Sequence, residues 1–253
     1  MTDALVSAEE IAENANAYTP LGPRDERIGD ERYVLWLGDG DDPRLNVAQR
    51  FRLRADEVEA VREEIHGHLR ERGRRVCTWE VGSHATPSDL VERLRGLGLA
   101  DDEPDALAVG MVLREPPRLE APEGVEVRVA ESPEERLAAE RIAAAAFGGP
   151  EPEEAPPARD PSNRVYVAYL DGEPVARASA MFGQAAVSLF GGATLPAARG
   201  RGLYRALVAA RWRDAVERGT PVLVTQAGAM SRPILARVGF REVCEIRILV
   251  DRF

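Results

Sequence analysis

The chain reads as an α/β protein of three-layer α+β type, with a mixed, mostly antiparallel central sheet flanked by helices, and the arrangement is expected in duplicate. Three observations lead there. Apolar runs of strand type alternate with amphipathic segments, consecutive strands separated by turns form a meander in the second half, and one strand, turn and helix pattern occurs twice. Length agrees, since 253 residues at about 150 per domain suit two modest domains.

Composition sets the bounds. Hydrophobic residues at 44%, charged residues at 30% and a mean hydropathy of -0.29 describe a chain able to fill a core, not a disordered tail. The opening MTDALVSAEE carries acid where a secretory signal has a basic region, and no apolar region follows it, so a cytoplasmic location is expected. Residues 178–198 lack charge, but Gly183, Gln184, Ser188, Gly191, Gly192 and Pro196 divide them into short β-type runs, so no membrane partner is expected. Cys77 and Cys244 match neither a disulfide framework nor a CxxC site. Net charge is -10, all 33 basic residues are arginine and aromatics make up only 6%, so no nucleic-acid partner is expected.

Element by element, residues 1–30 show little periodicity and read as an extended or partly helical lead-in. Residues 33–37 (YVLWL) form a strand closed by Gly38-Asp39-Gly40, and residues 55–73 a helix with Val58, Val61, Ile65 and Leu69 on one face. Residues 76–81 form a strand, followed by a helix carrying Leu90, Leu94 and Leu97. The Pro-rich and charged stretch 113–124 marks a linker, which gives domains at 1–117 and 118–253. In the second, a strand at 125–129 precedes a helix at 133–147, a Pro-, Glu- and Gly-rich loop at 148–161, and strands at 164–170, 175–181 and 186–195. A helix at 202–218, a strand at 222–226, a short helix at 231–238 and a strand at 242–250 complete it.

The repeat joins CTWEVGSHATPSDLVERLRGLGL (77–99) to LVTQAGAMSRPILARVGF (223–240). Each has a strand, then Gly followed five residues later by Pro (Gly82 and Pro87, Gly228 and Pro233), then a helix ending in Gly plus an apolar residue.

The informative stretch is GGATLPAARGRGLYRAL (191–207), at a strand-to-helix junction. Gly200 and Gly202 let the backbone approach an anion, and the amides of a helix start face it. Six arginines against Asp214 and Glu217 place a net +4 between residues 199 and 218. This order of strand, motif, helix, strand and short helix resembles the GCN5-related N-acetyltransferase (GNAT) superfamily. Its Arg/Gln-x-x-Gly-x-Gly/Ala motif is met at Arg199 and Gly202, with Tyr204 in the last position. The resemblance covers residues 125–253, and a degenerate version extends over the first half, which lacks the Arg-Gly-Arg-Gly loop.

The resemblance implies an acyl-CoA N-acyltransferase fold and acetyl-CoA as donor, with no metal. The pyrophosphate would meet Arg199, Gly200, Arg201, Gly202, Leu203 and Tyr204. The pantetheine arm would pair with the backbone of Ala193, Thr194 and Leu195, where the strand splays from the next one. Ser231 stands where the family has a cofactor-contacting Asn. Leu235 stands where many relatives carry a Tyr that protonates the leaving thiolate. The acceptor would be a small-molecule or peptide amine, and the protein a monomer or homodimer.

No general base is assigned. The catalytic candidates are Glu245 and Ser231, followed by Glu153, Glu154, Asp160 and the terminal carboxylate of Phe253; a solvated surface charge is the default for the acids. Tyr166 and Tyr169 are expected to pack on the sheet. His66, His68 and His84 make a poor metal set, and Trp36, Trp79, Trp212 and Cys244 read as packing residues.

Overall fold

The computed structural model describes residues 6–39, 43–118, 122–158 and 160–253. The elements run α1 (Ala8–Glu13), α2 (Ala15–Tyr18), β1 (Glu26–Gly29), β2 (Val34–Leu37), β3 (Asn46–Gln49), α3 (Val58–Arg70), β4 (Val76–Gly82), α4 (Leu90–Gly96), β5 (Ala100–Asp101) and β6 (Leu107–Leu113). They continue with β7 (Val125–Val129), α5 (Pro133–Phe147), β8 (Asn163–Leu170), β9 (Glu173–Phe182), β10 (Val187–Thr194), α6 (Leu203–Glu217), β11 (Leu223–Ala227), α7 (Arg232–Val238) and β12 (Arg241–Arg252). Contacts divide the chain into two units. One is built on residues 112–225 and 234–241, the other on 9–111, 226–233 and 242–253. This division is discontinuous, where the sequence suggested one cut at 117/118, because the last strand gathers its contacts with the N-terminal segment.

In the C-terminal unit β7, β8, β9 and β10 form the antiparallel meander and β11 joins β10 in parallel. Helix α5 begins with a capping box: Glu135 N–H donates to Ser132 Oγ at 3.2 Å and Ser132 N–H to Glu135 Oε2 at 3.0 Å. Ala139 and Ile142 of α5 pack on Val165, Val167 and Ala193. Arg164 and Tyr166, the alternate positions of β8, face the other way and bind Asp214 of α6 at 2.6 and 2.5 Å. Helices therefore cover both faces of the sheet, the three-layer arrangement expected from the sequence.

In the N-terminal unit the order is β1, β2, β3, β4, β12, β6, with β5 beside β12. Strand β12 pairs with β4 over seven residues, from Ile246–Gly82 to Arg252–Val76. The core includes Tyr33, Leu35, Phe51, Ile65, Leu69, Trp79, Leu90, Leu94 and Leu249, each about 1.5–3 kcal/mol of burial relative to exposure. The repeat has its structural counterpart: β3, α3, β4, α4 in this unit follow the succession of β10, α6, β11, α7. Both strand pairs are parallel and both register through two residue pairs, Val47–Thr78 with Ala48–Trp79 and Val187–Leu223 with Ser188–Val224. The lead-in resolves into α1, α2 and β1. Strands β3 and β6 were not expected.

Candidate functional site

Strand β10 changes neighbours along its length. Its parallel ladder with β11 comprises Val187–Leu223 and Ser188–Val224, after which Thr225 Oγ1 donates to the Leu189 carbonyl at 3.1 Å. Toward β9 the ladder resumes at Ala193–Arg177 and Thr194–Ala176 after a break following Phe190, and Leu195 N–H donates to the Val175 carbonyl at 2.9 Å. From the bulge onward β10 is thus held by β9, while its ladder with β11 is finished. That leaves one strand edge for another partner, which is what an extended, amide-bearing ligand requires.

The chain then passes through a 3-10 turn, Pro196–Ala198, into the Arg-Gly-Arg-Gly loop. Gly200 and Gly202 hold φ at +77° and +79°, and Gly202 is the N-cap of α6. The first intrahelical bond runs from Ala206 N–H to the Gly202 carbonyl at 3.1 Å, so the amides of Leu203, Tyr204 and Arg205 have no acceptor within the helix. A Cβ at Gly200 would meet nothing within 4 Å, whereas one at Gly202 would lie 2.7 Å from Arg205 Nη2 and 3.0 Å from Pro122 Cγ. The first turn carries no acid. Among the described residues, Arg199, Arg201 and Arg205 join no ion pair. Open space, helix-start amides and uncompensated guanidinium groups suit a polyphosphate, so the residues present fit the CoA donor that the resemblance implies. Tyr204 packs its ring edge on the bulge, where a Cβ at Gly192 would come within 2.6 Å of Cε2.

The other candidates are placed as follows. Ser231 donates its hydroxyl to the Gly228 carbonyl at 3.3 Å, and by contacts it counts with the N-terminal unit. Glu245 is exposed, and its carboxylate lies 3.8 Å from Arg247. Glu153, Glu154 and Asp160 are exposed, and hydrogen bonds from Ser162 hold the Asp160 carboxyl below the usual range. Phe253 stacks on His66 with ring centroids 3.6 Å apart. Tyr166 is buried, its hydroxyl bound to Asp214, and its pKa is raised by burial and then by that bond. Tyr169 lies under Arg128, 4.8 Å from its ring centroid. Leu235 is fully buried. His66 binds Asp251 and His84 binds Glu13; among the described residues no group of three or more His, Cys, Asp or Glu could hold a metal. Burial pushes the Cys244 thiol up to about 12, which makes it a packing group.

Sequence reasoning missed two groups. Arg177 is buried in β9, and only its neighbours, a run of small residues, set it apart in the sequence. Glu80 of β4, in the N-terminal unit, has its carboxyl pushed up to about 7 by burial, against a 3.3 Å hydrogen bond from Gln226 Nε2. Strand alternation alone hides both.

The comparable loop of the N-terminal unit is closed by its own chain. After β3, Thr86 N–H donates to the Phe51 carbonyl and Leu53 N–H to the Thr86 carbonyl, both at 3.1 Å, and Phe51 stacks on Trp79 at 4.9 Å. The strand edge that is open in β10 is here filled.

A three-layer α/β unit with a bulged strand that parts from its parallel neighbour beside a glycine-rich helix start has the acyl-CoA N-acyltransferase fold. Residues 125–240 match the acetyltransferase (GNAT) family. The structure is similar to a GCN5-related N-acetyltransferase from Kribbella flavida, with 23% identity, a TM-score of 0.73, and coverage of 98% of this chain and 96% of that one. It is also similar to a tandem GNAT protein from the clavulanic acid biosynthesis pathway, with 13% identity, a TM-score of 0.61 and coverage of 97% and 87%. A third, a GCN5-related N-acetyltransferase from Sphaerobacter thermophilus, has 17% identity, a TM-score of 0.59 and coverage of 88% and 81%. No match was found among curated proteins. No helix of the described residues is long and apolar enough to cross a membrane.

Proposed function

We propose that the protein is an acetyl-CoA-dependent N-acetyltransferase that moves an acetyl group to a primary amine by direct attack in a ternary complex. The observation that carries this reading is the open edge of β10 running into an acid-free helix start at Gly202. In this reading the backbone of Ala193, Thr194 and Leu195 pairs with the pantetheine arm. The amides and guanidinium groups from Arg199 to Tyr204 hold the pyrophosphate.

Acetyl-CoA supplies an activated acyl group: the amine nitrogen bonds to the carbonyl carbon, the C–S bond breaks and CoA leaves as the thiolate. A thiol of pKa about 8.5 needs little help from an acid, which suits a site where Leu235 offers no hydroxyl. The amine, with a pKa of about 10, must shed a proton to a base or a water chain. A net charge of -10 steers cationic acceptors toward the protein.

Thiol release from acetyl-CoA in the presence of a panel of primary amines tests the reading, and turnover with any of them supports it. Buried Leu235 favours one rival, an acyl-CoA sensor that keeps the cradle without the chemistry; its mark is donor binding with no turnover across the panel.

A further inference from the structure

We infer that Arg177 is a positioning residue for acyl transfer: its guanidinium fixes the Gly191–Gly192 peptide at the bulge of β10 so that the Gly192 N–H meets the donor's thioester carbonyl. This rests on the acetyl-donor reading above.

Strand β9 surrounds Arg177 with small buried residues, Ala176, Ala178 and Ala180, and leaves Arg177 itself only 6% exposed. A guanidinium in such a place is costly unless its bonds offset the lost water. Two contacts do so. Nη1 donates to the Gly191 carbonyl at 3.0 Å, and Nη2 lies 3.6 Å from Glu140 Oε1 on α5. The β9–β10 register passes from Phe190 directly to Ala193, so the side chain of Arg177 supplies the donor that the ladder omits at Gly191.

The fit admits little else at this point. Gly191 has φ +54°, and a Cβ there would lie 2.5 Å from Arg177 Nη1. In a trans peptide the carbonyl and the N–H point opposite ways. Anchoring the Gly191 carbonyl therefore turns the Gly192 N–H to the side away from Arg177. Gly192 in turn abuts Tyr204 in the first turn of α6, so the bulge adjoins the helix start that would hold the pyrophosphate. A fixed N–H beside an acyl oxygen that gains negative charge during attack is worth about 10²–10³-fold in rate.

The experiment compares full-length wild type with Arg177→Gln, by calorimetry with CoA and acetyl-CoA and by infrared spectra of acetyl-CoA carrying a ¹³C carbonyl. Wild type is expected to lower the carbonyl stretch on binding. Arg177→Gln should bind CoA as wild type does and lose that lowering, a change that a merely structural ion pair would not produce. A stretch lowered equally in both overturns the inference, as does bound acetyl-CoA with an unshifted carbonyl in wild type. If Arg177→Gln fails to fold, Arg177→Lys carries the same comparison: a diminished shift supports the inference and an unchanged one overturns it. Wild type that binds no acetyl-CoA at all overturns the donor reading first, and this inference with it.

Discussion

At Gly202 the backbone holds a left-handed φ of +79°, which costs an L-residue about 1–2 kcal/mol before any side-chain clash is counted. The glycine-rich motif was legible because this requirement is local. Glu80 shows the opposite case. Its carboxyl reaches about 7 from an ordinary 4.5 through its surroundings, chiefly burial, and nothing in VCTWEV announces them. A carboxyl raised by folding contributes stability at pH values below its unfolded pKa, and that contribution is lost as pH rises through the folded value. Wild type should therefore lose up to about 3 kcal/mol relative to Glu80→Gln between pH 4.5 and values above about 7. Thermal melts of both across that range check it; parallel stability curves would contradict the assignment.

At the scale of elements, the long periodic segments were readable. The meander of β7 to β10, the capped helix α5 and helix α6 all stand near their expected residues, because a helix of 15 residues repeats its pattern several times. Four-residue strands repeat nothing, and β1 and β3 escaped notice. Strand β6 has a signal in the sequence, the apolar run LAVGMVL just before the Pro-rich linker. The partner of β12 was not legible at all, since pairing with β4 depends on residues far away in the chain. What anchors β12 is Asp251, buried and held by Arg62 Nε and Nη2 at 2.7 and 2.8 Å and by His66 Nε2 at 2.7 Å. Desolvation would raise the Asp251 carboxyl, yet the Arg62 and His66 hydrogen bonds hold it below its ordinary value. Its stabilisation is present above pH 3.8 and is lost as pH falls through the folded value. Asp251→Ala leaves Arg62 and His66 without this partner, and urea unfolding at neutral pH should show a loss of about 3–5 kcal/mol. A loss within a few tenths of a kcal/mol would show that β12 is held by its ladder and apolar contacts alone.

For the whole molecule, the two units are not two consecutive pieces of sequence. A fragment of residues 118–253 keeps β12 but loses β4, its partner over seven residues, and so presents an unpaired edge with buried Ile246 and Leu249 exposed. That fragment should unfold without a cooperative transition in calorimetric melts. A sharp melt with donor binding like that of the full chain would show the C-terminal segment to be self-sufficient. The units also differ in their strand-to-helix junctions, closed by Thr86 and Phe51 in one and open along β10 in the other, so one donor site per chain is expected. The most direct measurement is calorimetric titration of the full chain with acetyl-CoA beside Arg199→Ala and Gly202→Glu. Binding at one site per chain, weakened in the first variant and abolished in the second, is the predicted result. Well-folded wild type that binds no acetyl-CoA, or a Gly202→Glu variant that binds it unchanged, would contradict the assignment of the helix start as the donor site.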